Sequence, residues 1–550
     1  MVKSSTRTSL LQDTPWSRGS GSHSEFHNIH TQDDYKPYLK GDLKCNKALI
    51  TFDEFLKHIL RVSPEWRHQE KSTIHNILNS KRYKDMLELY TSQIHHEAER
   101  YHPFVELVNH LRETLRGREE SVMSFCRNDP TIVKGCYAQR NPDAVGVENS
   151  VLKEGDRIGV DNLSKKGPVG NPFFWADLVS FLEFKVKASV LPVKTIGQAS
   201  KHAEAGSSIC PPPAPSSSKA SKSRTKTRSA KRNSKATSAS TEPVTRASPY
   251  ATRSSSKRMA PSTDPDPDIL PRKRVKKSSE PYSTAGSAQD DLDLQCASYA
   301  LELLSHGGLR NHVIAAAIAD QNIELLYYDR SIIIKSSPID FVSDDSRFVA
   351  MLLGFSKLTS SQWGYELLVE PPHISRPPPL GTVLGLSLRI LQGQTITLCN
   401  GNVLKLGTTV YHQHGLIGRG TRVVRATLQT ANGQSQSSDS DDAWDRGLIV
   451  KLSWSPKSRK SKDIVVNEAR SHAKACGDLW VLDHLPNVLH AQDIDRTIEE
   501  PVKGLIELLS DRYEPRVLRL LVLEELAPIT DLATAPVLAD AFRGIFNCYE

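Results

Sequence analysis

Apolar and polar positions along the chain repeat on two periods, and these separate helical stretches from strand-forming ones. Thr51-Phe52-Asp53-Glu54 has the spacing of a capping box, opening a helix through Phe55, Ile59 and Leu60. A longer amphipathic stretch runs from about Arg82 to Leu115, with Leu87, Leu89, Tyr90 and Ile94 on one side. Pro103 predicts a break or kink within it, because proline lacks the amide that the helix ladder needs. Short apolar runs at Thr131–Val133, Ala144–Val147 and Leu178–Val186 read as strands. Further on, a helix through Gln295, Tyr299 and Leu303 leads into strands at Val313–Ile318, Ile323–Tyr328 and Ile332–Lys335. Pro371 and Pro377 to Pro379 mark a connector near 370–380. A β-rich segment then spans about 383–455, a helix covers about 462–476, a strand runs over Val517–Glu524, and a last helix starts near 535.

Neither period survives between about Ala188 and Gln289, where Ser, Thr, Pro, Lys and Arg dominate. So little apolar surface cannot offset the entropy of ordering, so the segment is expected to be disordered. It also holds the charge. Residues 201–290 contain 18 Lys/Arg against 7 Asp/Glu, more than the whole net charge of +8. The folded parts are therefore near neutral, which weakens any general argument for nucleic-acid binding by them. None of the eight cysteines forms a Cys-x-x-Cys pair, which argues against structural zinc and a disulfide scaffold and fits a reducing compartment. No run approaches the roughly 20 apolar residues that span a bilayer, so no membrane partner is expected and the chain reads as soluble and intracellular.

Two groups of residues suggest chemistry. In the first, Gly415-Leu-Ile-Gly418-Arg-Gly420-Thr-Arg-Val423-Val424 lies between strand-like flanks. Such a turn lets backbone amides approach phosphate oxygens, although it departs from G-x-G-x-x-G with Val423 at the third glycine position and, alone, reads better as a plain hairpin turn. Leu448-Ile-Val-Lys451 is an apolar strand ending in lysine, and Glu468 in the following helix offers that lysine a partner. Taken singly, these are a strand-edge lysine and a solvated glutamate. Leu518–Leu523 is a further strand, followed by Glu524-Glu-Leu526-Ala-Pro528.

Taken in order, the Arg419-Gly-Thr-Arg turn, Val450-Lys-Leu-Ser-Trp454, Asn467-Glu-Ala-Arg470 and Val522-Leu-Glu-Glu-Leu-Ala-Pro528 resemble the fungal-type protein kinase family, as does Tyr327-Tyr-Asp-Arg330 upstream. The resemblance implies a Ser/Thr-type kinase domain acting on a protein substrate with ATP and Mg²⁺. It places Gly418 and Gly420 over the nucleotide phosphates and makes Lys451 and Glu468 an ion pair. Glu524 and Leu526 would present backbone groups to adenine. The family's H-R-D and D-F-G motifs would follow Glu550, so no phosphotransfer is expected from this chain alone. That leaves a truncated product or a half-kinase acting as a binding module.

In the second group, Pro142-Asp143 precedes Ala144-Val-Gly-Val147, Glu183-Phe-Lys185 lies on a strand, and Gln295-Cys-Ala-Ser-Tyr299 opens a helix. Glu183 and Lys185, two apart on a strand, share a face. This order resembles the PD-(D/E)xK nuclease superfamily. The resemblance implies Mg²⁺ on Asp143 and Glu183, with Lys185 orienting or deprotonating the attacking water. The alternative is a surface ion pair and a helix-capping glutamine. Within the insert, Pro271-Arg-Lys-Arg-Val-Lys-Lys277 resembles a nuclear localisation signal, with Arg272 to Lys277 read by importin. Nonspecific phosphate contact or a solvated charge run would also account for it.

The expected fold class is α+β. A leader (1–45) precedes an α/β nuclease-like region (46–187), a disordered basic insert (188–290) and a continuation of the α/β domain (291–380). A partial kinase domain (381–550) follows, with an antiparallel N-lobe sheet, helix C and a C-lobe stub. Kinase homologue is the leading functional reading. A Mg²⁺-dependent nucleic-acid-cleaving enzyme or a nonenzymatic nuclear interaction module are the alternatives, with nuclear or nucleocytoplasmic placement.

Overall fold

The structure is a computed structural model. It describes residues 32–92, 96–116, 123–135, 140–149, 152, 173–185, 288–370, 391–429, 444, 447–495, 501–509, 513–526, 534–537 and 539. These residues fall in one compact unit built on two sheets. The basic insert with Arg272–Lys277, the proline connector and most of the segment from 535 lie outside the described residues.

The first sheet begins with helix α1 (Gln32–Asn46) and strand β1 (Lys47–Ile50), followed by helices α2 (Lys71–Asn79), α3 (Lys81–Ser92) and α4 (Glu97–Arg116). Strands β2 (Met123–Arg127), β3 (Ala144–Glu148) and β4 (Leu178–Lys185) form an antiparallel meander. Helix α5 (Ala288–His306) then crosses back to β5 (His312–Ala319), which pairs parallel with β4. Strands β6 (Asn322–Asp329), β7 (Ile333–Ser336) and β8 (Ile339–Asp340) and helix α6 (Asp345–Lys357) follow, and β1 closes the edge in parallel with β7. Alternate residues of the central strands enter two different cores. Ile314, Ala316 and Ile318 pack under α4 and α6, while Val313, Ala315 and Ala317 pack under α5 and α1. Burial on both faces explains why β5 reads as an unbroken apolar run. Lys47 of β1 and Lys335 of β7 each lie 2.8 Å from Asp293 of α5, fastening the helix to the sheet edge.

The capping box at Thr51 forms with both reciprocal hydrogen bonds. Four expectations change. Residues 32–45 are not a leader: Tyr35 and Leu39 of α1 are buried in the core under α5. The 82–115 stretch is two helices, and Pro103 lies inside α4 instead of ending it. The buried stripe of α3 is Tyr83, Met86 and Tyr90, spaced by three and four residues, whereas Leu89 faces outward. Thr131–Val133 contributes one isolated bridge, from Val133 to Arg140, and no strand.

The second sheet is antiparallel throughout. Its strands are β9 (Val369–Glu370), β10 (Thr395–Thr397), β11 (Val403–His412), β12 (Arg422–Gln429), β13 (Leu448–Pro456), β14 (Val488–Ile494) and β15 (Arg516–Glu524). The spatial order is β9-β10-β11-β12-β13-β15-β14, and helix α7 (Lys462–Cys476) lies in sequence between β13 and β14. Leu448, Val450, Leu452 and Trp454 of β13 share one buried face with Leu518, Leu520 and Val522 of β15. Gly477, in the left-handed region at φ +80°, ends α7 by donating its amide to Ala473 and Lys474 carbonyls. Ala473 is the buried position of α7, and Ile464 and Val465 stay exposed.

Candidate functional sites

The meander and α5 bring the second group of residues, around Asp143, Glu183 and Lys185, together. Asp143 precedes β3, and its Oδ2 accepts the Phe184 amide at 2.8 Å. Glu183 is fully buried, and Lys185 Nζ donates to its Oε1 at 3.1 Å. The shared face expected for the Glu-x-Lys pair is therefore present. Burial pushes the Glu183 carboxyl far above the usual range, and the Asp143 carboxylate beside it adds to the rise. Burial likewise raises Asp143, so the pair retains a proton at neutral pH. Gln295 Nε2 donates to the Tyr299 hydroxyl at 2.8 Å, on the α5 side of the same cluster. Tyr299 sits close enough to Glu183 for that carboxylate to raise its pKa, after burial.

Two members of this cluster come from α4 and were missing from the sequence reading. Glu97 lies 3.7 Å from Lys185 Nζ, and the Tyr101 hydroxyl donates to Glu97 at 3.0 Å. Nothing in a lone Glu-x-x-x-Tyr on a helix points to a strand some 85 residues away. Only the packing of α4 on β4 does so.

The first group, around Lys451, is only partly assembled. Lys451 of β13 lines a pocket with Arg419, Arg459, Lys460, Lys462 and Arg519, which Asp463 and Asp493 offset in part. Burial lowers its pKa to about 8, helped by Lys462 and Arg419. Glu468 does not meet Lys451. It lies on the exposed side of α7 and accepts from Lys460 at 2.8 Å. With α7 burying so little of itself against the sheet, the neighbouring lysine captures the carboxylate. Glu524 ends β15 opposite Leu448, three register positions from Lys451's partner Leu521. Leu526 beyond it is 73% exposed.

The glycine turn serves a different contact from the one expected of it. The Gly418 amide donates to the Arg330 carbonyl at 2.8 Å, and the Arg330 guanidinium reaches the Gly415 carbonyl. Gly420 has φ +50°, and a Cβ there would fall 2.6 Å from the Arg330 guanidinium carbon. Leu416 and Ile417 insert into the core beneath α5. These glycines thus make room for an arginine of the first sheet, and at least the Gly418 amide is committed to protein. A separate cavity between the two sheets is lined by Asn311, Asp329, Arg330, Trp454 and Arg516. Asp329, Arg330 and Trp454 belong to the stretches that carry the kinase resemblance, but none of the residues given a catalytic, nucleotide or metal role from sequence lines it.

Five strands in the order β11-β12-β13-β15-β14, with a helix after the third strand and a lysine on it, define a kinase-like domain. The family model of the fungal protein kinase matches residues 250–540. The chain belongs to that family, and the matched region takes in α5 to β8 of the first sheet as well as the second sheet. No curated protein and no solved structure matches the chain.

Proposed function

We propose that this chain is a protein-kinase homologue of its family that keeps the nucleotide site, with Lys451 as the phosphate anchor. One observation carries the reading. Lys451 lies half-buried, its pKa is depressed to about 8 by burial first and by the cations Lys462 and Arg419 next, and no carboxylate partner is assigned to it among the described residues. A polyanion relieves that crowding, and the triphosphate of ATP has the charge to do so. Lys451, Arg419 and Lys462 would hold the phosphates, with bound Mg²⁺ neutralising their charge. Because an anion favours the protonated lysine, ATP affinity is expected to fall as pH rises through about 8. Titration of ATP into the full chain is expected to show binding that weakens about tenfold or more in Lys451→Ala. Equal affinity in wild type and variant, or no fall above pH 8, would defeat the assignment.

A second reading is favoured by the convergence of Asp143, just before β3, with Glu183 and Lys185 of β4. We infer a PD-(D/E)xK-like site in which Asp143 and Glu183 hold Mg²⁺ and Lys185 positions water for phosphodiester cleavage. The protonated carboxyl pair supports it, since a divalent cation offers the buried charge an alternative partner to a proton. Cleavage of a labelled DNA or RNA strand by the full chain is expected to need Mg²⁺ or Mn²⁺. It should drop at least about a hundredfold in Glu183→Gln and Lys185→Met. Activity that survives both substitutions would sink this reading. Importin binding through Arg272–Lys277 and a nuclear or nucleocytoplasmic placement belong to the same proposal.

A further inference from the structure

A buried polar cluster at the joint between the sheets belongs to neither site. Glu302 and His306 are one helical turn apart on α5, so their side chains share a face. His414 reaches them from the turn after β11. Glu302 Oε2 lies 3.5 Å from His306 Nε2 and 3.5 Å from His414 Nε2, and the three ligand atoms are all within 4.8 Å of one another. Glu302 is fully buried, yet neither of its carboxylate oxygens accepts a hydrogen bond among the described residues. Arg140 stands 3.6 Å from its other oxygen, Oε1. A buried carboxylate without hydrogen bonds is costly and calls for a partner.

We propose that Glu302, His306 and His414 bind a divalent transition-metal ion of the zinc class, which fastens α5 to the β11–β12 turn. Two imidazoles and one carboxylate are a donor set for zinc or cobalt, whereas Mg²⁺ and Ca²⁺ prefer oxygen alone. Bonds of about 2.0–2.1 Å in a tetrahedral site place ligand atoms about 3.4 Å apart, close to the two 3.5 Å separations here. Arg140 takes the second carboxylate oxygen and leaves Oε2 to the metal. His414 is the one ligand with some exposure, its side chain 11% accessible. The ion and a fourth ligand, water, would enter on that side. His412, buried with its Nε2 lacking a hydrogen-bond partner and its ring 5.6 Å from that of His306, lines the inner wall.

The test is cobalt titration of the full chain after chelation, read in the visible spectrum, with zinc competition and thermal melting alongside. Wild type is expected to give the intense bands of four-coordinate cobalt at stoichiometric metal, to lose them on adding zinc, and to melt higher with zinc than without. Glu302→Gln and His414→Gln should each weaken binding about tenfold or more. His490→Ala, beside Cys399 on the other edge of the second sheet, should change nothing. Folded wild type without these bands overturns the proposal, and so does undiminished binding in folded His414→Gln.

Discussion

Replacing Arg330 by methionine is expected to destabilise the protein by about 2–4 kcal/mol, the range for removing a buried, charge-assisted hydrogen-bonding group, and to release the turn at 413–421. Arg330 donates to the Leu304 carbonyl at 2.8 Å and to the Gly415 carbonyl, and its guanidinium lies 5.2 Å from the centre of the Trp454 ring. It therefore touches the end of α5, the glycine turn and β13 together. Burial, with Arg422 and Arg516 nearby, pulls its pKa down to about 9, so removing the charge returns part of the loss. The hydrogen bonds still win, because methionine fills the aliphatic space but leaves the Gly415 carbonyl without its arginine donor and the Leu304 carbonyl with only the longer bond from Arg422, at 3.1 Å. Denaturant unfolding gives the magnitude, and limited proteolysis within 413–421 reports the turn. Gly420→Ala attacks the same contact from the other side and should produce the same proteolytic pattern. An unchanged midpoint with a protected turn in Arg330→Met would show that the arginine does not hold the joint.

That joint marks where sequence reasoning stops. Helix α7 and strands β13 and β15 were legible because period and composition are local: one face of β13 is apolar, although the strand runs five residues past Lys451 to Pro456 instead of ending at the lysine. Asp143, Glu183, Lys185, Gln295 and Tyr299 were legible as residue types at recognisable spacings, and packing does bring them together. The Lys451–Glu468 pair failed for a tertiary reason. Whether a helix presents its glutamate to the sheet depends on how closely the helix packs, and the sequence of α7 encodes a weak apolar stripe with Ile464 and Val465 left outside. The glycine turn failed because glycine signals only that something comes close. Here that is Arg330, which lies 85 residues upstream of Gly415. Glu302 and His306 had a local signal, the one-turn spacing, but their third partner, His414, is apparent only once the two sheets are docked.

Glu183→Gln is expected to raise stability at pH 8 and leave it nearly unchanged at pH 5. The sign follows from proton binding. The Glu183 carboxyl, ordinarily near 4.5, is pushed up to about 8, by burial first and the Asp143 charge second, against the pull of Lys185. The folded chain therefore holds a proton that the unfolded chain has lost anywhere between those limits. Its contribution to stability is fully present below about pH 4.5 and is lost as pH rises through about 8. Asp143, raised for the same leading reason, acts in the same direction over a lower window. Each tenfold change in proton affinity is worth about 1.4 kcal/mol, so the wild type should lose at least about 2 kcal/mol from pH 5 to pH 8.5. Glutamine keeps the neutral shape at every pH and should flatten the fall that Glu183 causes. Unfolding midpoints of the two proteins at pH 5 and pH 8.5 decide the matter, and parallel profiles would refute the shared proton. The same experiment bears on the metal. If Asp143 and Glu183 hold Mg²⁺, adding it at pH 8.5 should restore most of the wild type's loss and do little for Glu183→Gln, because the cation takes the place the proton has left.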